Sequence, residues 1–241
     1  MKLYVYCLAD DLDTLNNSPR GISGAPVRLL KIDNLAVLVS ETELDLVPVT
    51  RDDALAHATV VRSVLGQTTP LPFRFGALVT EQQLRSYISA RKPALENKLA
   101  HVRGCIEMSI KIIWQPEVAN ETQPHNHYVE PQGAGATFLA EKRREIFGDE
   151  RRAGEAKEIT VWLHDKVSDL TRDEHVTVRP SERLLLAAAH LVERVNIQSY
   201  RARVAEARQN RPELHFLVSG PWPPYTFANI ELEFKTQFGV S

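Results

Sequence analysis

Cysteine is scarce in this chain, with two in 241 residues, and neither sign of charge is in surplus. Cys7 and Cys105 each sit in a strand-like apolar run, where a cysteine acts as a small buried hydrophobe, and that usage suits a reducing cytoplasm. Lysine plus arginine number 29 against 31 aspartates plus glutamates, a net charge of −2. The first 103 residues carry 12 basic and 11 acidic side chains, leaving 17 and 20 for the rest, so averaging hides no basic domain. Long-range attraction to nucleic acid or to an anionic membrane has no basis in such a balance. Long apolar runs are missing as well. None approaches the length a bilayer needs, and Met1–Tyr6 lacks the basic and apolar regions of a signal peptide, so the sequence reads as soluble and intracellular.

Signatures of catalysis are equally thin. Gly21-Ile22-Ser23-Gly24 is too short for a nucleophile elbow, and Gly133-Ala134-Gly135 lacks the strand–turn–helix context of dinucleotide binding; both read as turns. Asp10, Asp11 and Asp13 read as a solvated loop, because the glycine and distal glutamate of a calcium loop are absent. His125 and His127 lie in a loop with no third ligand at a recognisable spacing, and the other histidines pair with no cysteine or serine at a catalytic spacing. The stacking aromatics of an RNA-binding sheet are missing too. No cofactor and no metal site is expected.

What the chain does have is clear periodicity. Ile106, Met108, Ile110, Ile112 and Trp114 share one parity while Glu107, Ser109 and Lys111 share the other, the pattern of a strand with one buried face. Gly104 closes the helical stretch before it. A boundary near Arg103 then divides the chain into a domain at 1–103 and another at 104–241. In the first, Leu3–Leu8 reads as a strand, and Val27–Ile32 and Leu35–Ser40 form a hairpin about Asp33-Asn34. Thr50 with Asp53 opens a helix that ends at Gly66; Pro70–Gly76 permits a strand from Phe73; Thr80 with Gln83 opens a helix that Pro93 either kinks or restarts. The order is β-β-β-α-β-α.

In the second domain, 115–135 reads as a loop, Ala136–Leu170 as helical, Val176–Arg179 and Leu184–Glu193 as strands. Asn196 caps a helix bearing Ile197, Tyr200, Val204 and Ala207, and Leu214, Phe216 and Val218 alternate as a last strand. This β-α-β-β-α-β order is that of a ferredoxin-like fold, with the first and third strands central. The class is therefore α+β with two domains. Ala187, Ala188 and Ala189 in the third strand would let a helix approach closely.

Two features invite a functional reading. Arg74, between Phe73 and Phe75, is either an anion-binding or catalytic group or a structural arginine, and no phosphate-cradling glycine loop adjoins it. Gly220–Phe227 is a proline-stiffened rod from which Trp222, Tyr225 and Phe227 project, to pack on the chain's own core or to meet a protein partner.

The opening Tyr-Val-Tyr strand, Gly21–Val27, Leu35–Ser40, Leu71-Pro72-Phe73-Arg74-Phe75-Gly76, Gly104–Met108 and Gly220-Pro221-Trp222-Pro223-Pro224-Tyr225 together resemble the gas vesicle protein F/L family nearly end to end. That resemblance implies an accessory or minor structural protein of gas vesicle assembly. It would act in the cytoplasm and at the gas vesicle, with the small hydrophobic shell protein and other accessory proteins and without a cofactor. A binding face for such a partner is expected to be apolar with a polar rim, built from Trp222, Tyr225, Phe227, Arg74 and any uncovered sheet face. The alternative is a small-molecule or metal-dependent enzyme using a cleft between domains, marked by a deep polar pocket with convergent titratable groups.

Overall fold

Lys2–Ala9 forms β1, and from Tyr4 to Ala9 no residue exposes any surface. The structure is a computed structural model that describes residues 1–16, 19–114, 153–178, 184–228 and 230. The expectations for His125, His127, Gly133–Gly135 and the first part of the long helical run lie outside those residues. By contacts the chain divides into two units, Met1–Glu107 with the segment from Gly220 on, and Met108–Ser219.

In the first unit β1 is flanked by β3 (Leu35–Thr42), which pairs antiparallel and joins β2 (Arg28–Ile32) through the hairpin expected at Asp33-Asn34. Asp33 there takes the left-handed backbone, φ 53°, that a tight turn demands. On its other side β1 pairs with two short strands, β4 (Leu71–Pro72) and β5 (Leu78–Val79). The pairing of β1 with β3 shifts register between Val5 and Cys7. This bulge at Tyr6 reverses the alternation, so Tyr4 and Tyr6 before it share one core with Cys7 and Ala9 after it. Val60, Val61 and Val64 of α1 (Arg51–Leu65) cover that core. Leu3, Val5 and Leu8 fill the other face, where α2 (Glu81–Val102) packs with Leu84, Ile88, Leu95 and Leu99 buried.

Both helices start as their sequences dictate. The Thr50 hydroxyl accepts from the Asp53 N–H at 3.1 Å, and Thr80 and Gln83 exchange two bonds of 2.8 and 3.2 Å in a capping box. Pro93 neither ends α2 nor starts a new helix. Apolar residues before it (Leu84, Tyr87, Ile88) and after it (Leu95, Leu99, Val102) lie on one buried face, and that burial outweighs the lost backbone bond. Asp10 corrects the reading of a solvated loop, since it is buried and its carboxylate takes the Arg103 guanidinium.

The second unit carries the sheet order β7-β8-β6-β9, where β6 is Cys105–Trp114, β7 Thr171–Val178, β8 Leu184–Glu193 and β9 Leu214–Trp222. Helix α3, described over 153–167, and α4 (Ile197–Asn210) complete the β-α-β-β-α-β order, and the first and third of its strands are central as a ferredoxin-like fold requires. The two-domain α+β class stands. Gly104 closes α2 with φ 73°.

Four expectations are corrected. β7 begins at Thr171, not Val176, because an edge strand tolerates polar residues and its burial is partial throughout. Only Ala188 of the three alanines is buried, while Ala187 and Ala189 point to the opposite, half-covered face, as strand alternation compels. Asn196 makes no side-chain cap, because a 3-10 turn over Arg194–Asn196 already gives it helical backbone, whereas a capping residue needs an extended one. The segment from Gly220 groups with the first unit instead of the second, for reasons that its contacts supply below. No described helix is long and apolar enough to cross a membrane.

Ile110, fully buried in β6, is the sharpest check on the second sheet. Ile110→Asp places an unpaired carboxylate in that core at a cost of several kcal/mol, about the whole stability of a domain. Thermal unfolding should show the cooperative transition of the second unit lost, and near-normal melting would contradict the strand assignment.

Candidate protein-interaction site

Four of the six pieces of sequence singled out above, those that hold Tyr4 and Tyr6, Gly21–Val27, Ser40 and Gly76, converge on two tyrosine hydroxyls. Tyr4 Oη lies 2.8 Å from His57 Nδ1 and accepts from the Gly76 N–H at 3.2 Å. Tyr6 Oη accepts from the Ile22 N–H at 2.9 Å and donates to Ser40 Oγ at 3.0 Å, which in turn donates to the Pro26 carbonyl at 2.9 Å. Asp53, near the start of α1, accepts from the Ser23 N–H at 2.7 Å and so ties the same loop to the helix. Gly21 must be glycine, since a Cβ there would stand 1.9 Å from the Tyr6 hydroxyl oxygen. The rings of Tyr4 and Tyr6 meet edge to face at 4.8 Å, with Phe75 6.1 Å from Tyr4 and 5.9 Å from His57.

Burial raises both phenols and pushes His57 down to about 4, with the Phe73 backbone partly offsetting that fall. Both phenols and the imidazole are therefore held neutral at neutral pH. This is a framework that fixes loops, built from hydrogen bonds that burial makes costly to leave unmade.

A second set of contacts holds the C-terminal segment to the first unit. The Glu107 carboxylate accepts the Thr226 N–H at 2.8 Å and the Thr226 hydroxyl at 2.9 Å, and Lys98 Nζ donates to the Ala228 carbonyl at 3.0 Å. The Arg62 guanidinium sits 4.8 Å from the centre of the Trp222 ring, and Ile230 bridges in parallel to Phe73. Pro223, Pro224, Ala228 and Ile230 are buried. The expected rod is interrupted: β9 runs through Trp222, and Tyr225–Ala228 then form a helical turn, α5, behind two prolines whose fixed φ suits a helix start. Glu107 is the residue the sequence misplaced. Its parity in β6 predicted a solvated side chain, yet it is 6% exposed because Thr226 supplies its partners.

Of the residues nominated from sequence, Trp222 and Phe227 are half-buried and Tyr225 keeps 41% of its surface open. Burial of its hydroxyl end nevertheless pushes the Tyr225 phenol up to about 12. Arg74 is exposed, next in the chain to the Phe73–Ile230 bridge, so the segment and the Phe-Arg-Phe-Gly motif do come together. Sequence patterning missed a further group: Leu44, Leu46, Val49 and Leu55 follow one another along the loop after β3 and the start of α1 with exposures of 37, 74, 87 and 56%. Their only sequence signal is apolar residues interleaved with acids from Glu43 to Asp53. Among the described residues no three of His, Cys, Asp and Glu gather closely enough to hold a metal ion.

Comparison with known proteins adds a consistent set of likenesses. The family model described as "Gas vesicle synthesis protein GvpL/GvpF" matches residues 2–229. Gas vesicle protein L of a Streptomyces species is 26% identical, covering 95% of this chain and 94% of its own. Gas vesicle protein F1 of Halobacterium salinarum is 23% identical, covering 98% and 97%. The crystal structure of GvpF from Anabaena sp. PCC7120 superposes with a TM-score of 0.80 at 20% identity over 95% of this chain and 99% of that one. That of Microcystis aeruginosa GvpF gives 0.75 at 20% identity over the same shares. At that identity the two structures bear on the fold alone.

Two outcomes follow from the contacts. His57 is neutral when folded but takes a proton below its ordinary 6.5 when unfolded, so its contribution is complete above that value and is lost as pH falls toward about 4. The loss is about 3 kcal/mol at most. Urea unfolding of His57→Gln should show a shallower fall in stability between those values than the parent, and an identical fall would rule out His57 as the source. Glu107→Ala, which strips two bonds from Thr226, should loosen the segment by roughly 1 to 3 kcal/mol. Chymotrypsin should then cut after Tyr225 or Phe227 faster than in the parent, and unchanged cleavage would show that Glu107 does not hold it.

Proposed function

The chain belongs to the GvpL/GvpF family of gas vesicle synthesis proteins, and we propose that in gas vesicle assembly it binds the small apolar shell protein, or a sister accessory protein, and limits shell-protein aggregation during nucleation. The observation that carries this reading is the family match over residues 2–229. A shell subunit that must line a gas space exposes apolar surface before it polymerises, and only reversible cover of that surface restrains it from aggregating. Apolar side chains open to solvent in the first unit supply such cover. Leu46, Val49 and Leu55 are the most open of them, and charged neighbours such as the Lys2–Asp45 pair, 2.8 Å apart, provide a polar rim. Tyr225, with Trp222 and Phe227 beside it, offers aromatic area at modest entropic cost.

The role is one of binding, without catalysis or a cofactor, carried out in the cytoplasm and at the vesicle, with proteins as partners and neither nucleic acid nor membrane. The neutral, interior-locked state of His57, Tyr4 and Tyr6 favours this over the enzyme reading, which needs titratable groups poised near neutrality in an open pocket.

Capture of purified shell protein by the immobilised chain tests the reading. Trp222→Ala and Tyr225→Ala should each weaken capture by roughly 1 to 4 kcal/mol if the aromatic segment is the hot spot. A Leu46→Ser, Val49→Ser double variant should do so if the loop is. Normal capture by both sets, with folding intact, would place the interface elsewhere. If Trp222→Ala unfolds the first unit, the segment is a structural clamp and the loop variant decides.

A further inference from the structure

His190 on the central strand β8 is fully buried, yet its imidazole can take a charge. Its Nδ1 lies 2.6 Å from the hydroxyl of Tyr200 on α4, a side chain equally buried. Its Nε2 faces Glu174 Oε2 on β7 at 4.0 Å, too far for a hydrogen bond, and neither of these two buried atoms has a hydrogen-bond partner among the described residues. The other oxygen of the same carboxylate takes His164 Nδ1, near the end of α3, at 2.8 Å. One carboxylate therefore stands between two imidazoles. The three side chains do not gather closely enough to hold a metal ion, and Tyr200 is closed to any substrate, so what the arrangement can handle is a proton.

The two histidines differ in what water can do for them. The His164 side chain is 50% exposed, so solvent can serve its charge, whereas that of His190 is 1% exposed and must find a counter-ion inside the fold. Its surroundings leave one choice. The neighbouring strand β6 contributes buried Met108, Ile110 and Ile112, none of which titrates. From α4 comes the Tyr200 phenol, which burial keeps neutral, while Arg203 is engaged by Asp169 and the Lys166 carbonyl. α3 supplies His164, whose charge opposes a second one on His190. On β7, Arg172 pairs with Glu193, Asp173 accepts the Glu174 N–H, and His175 faces the other way by strand alternation, which leaves Glu174 as the acid opposite Nε2. A carboxylate there favours the tautomer with its hydrogen on Nε2, so the Tyr200 hydroxyl donates to Nδ1.

We propose that Glu174 is a movable counter-ion, and that acid transfers its bond from His164 to His190. A proton from solvent enters at His190 Nδ1, Tyr200 turns from donor to acceptor, and the carboxylate closes the 4.0 Å gap to the Nε2 hydrogen while water takes over the exposed His164. The tie between α3 and β7 thus becomes one between β8 and β7. Burial opposes the incoming proton and pushes His190 down to about 4, and the charge of His164 adds to the fall. His190 is therefore neutral when folded but takes a proton below its ordinary 6.5 when unfolded; its contribution to stability is complete above that value and is lost as pH falls toward about 4. This device lies within the second unit and does not depend on the shell-protein reading of the first.

NMR titration of the full chain, with each imidazole signal assigned to its residue, tests the proposal. In the parent, the His164 signals should show a second inflection at the pH where His190 becomes charged. His164→Ala frees the carboxylate and should raise the His190 midpoint from about 4 to about 5 or higher, because an opposite charge at this range is worth about one pH unit or more. Adding Glu174→Gln should cancel that rise. A His190 midpoint unmoved in His164→Ala, or a His190 that stays neutral until that variant unfolds, would overturn the proposal. So would a rise that survives Glu174→Gln, since His164 would then act only through its own charge. His164 is half exposed and glutamine matches glutamate in shape, so the variants should fold. If the double variant does not, the parent decides: a single inflection for His164 would show that Glu174 stays where it is.

Discussion

Two phenol groups on a strand buried from Leu3 to Ala9 set the terms for the first unit. Tyr4 and Tyr6 carry hydroxyls into a fully buried interior, and each must find partners there or cost the fold a kilocalorie or more. The partners come from stretches far apart in the chain: the loop at 21–26, Ser40 at the end of β3, His57 on α1 and Gly76 after β4. The bulge at Tyr6 makes this possible by keeping both rings on the side that α1 covers. Short motifs scattered through the sequence are thereby explained as the ends of two hydrogen-bond sets, one on each tyrosine hydroxyl, whose rings meet edge to face, and the glycine at 21 as the space that the Tyr6 hydroxyl occupies.

Holding the C-terminal segment is a matter of the same physics at a second place. A buried carboxylate is tolerable only when its oxygens are satisfied, and Glu107 obtains that from the backbone and hydroxyl of Thr226. The Arg62–Trp222 stack and the Lys98–Ala228 bond fix the segment on either side. Under the proposal that this segment meets a partner, such anchoring would bear on recognition. A tethered aromatic has already lost most of its freedom, so a partner that meets Tyr225 gains contact area with little further entropic cost.

Much of this was legible in the residues alone, for identifiable reasons. Alternation in β6 and the apolar run of β8 specified central strands because a buried face constrains every second residue, and the capping pairs at Thr50 and Thr80 announced their helices because local hydrogen bonds need only local sequence. The failures share the opposite property. Glu107 looked solvated because its partner lies 119 residues away. Edge strand β7 was cut short because weak burial leaves weak patterning, and Asn196 was misread because a preceding 3-10 turn changes what the same residue can do. Trp222 and Tyr225 drew notice as a proline-flanked aromatic cluster, whereas exposed Leu46 and Val49 did not, since nothing in a short loop distinguishes an open apolar residue from a covered one.

The central proposal is that this chain covers apolar surface on the shell protein before the shell closes. Light scattering of purified shell protein diluted from denaturant tests it most directly. The account predicts that an equimolar amount of the folded chain suppresses the rise in scattering, and that the two proteins elute together while it does so. Scattering that rises unchanged in its presence, with no co-eluting complex, would contradict it.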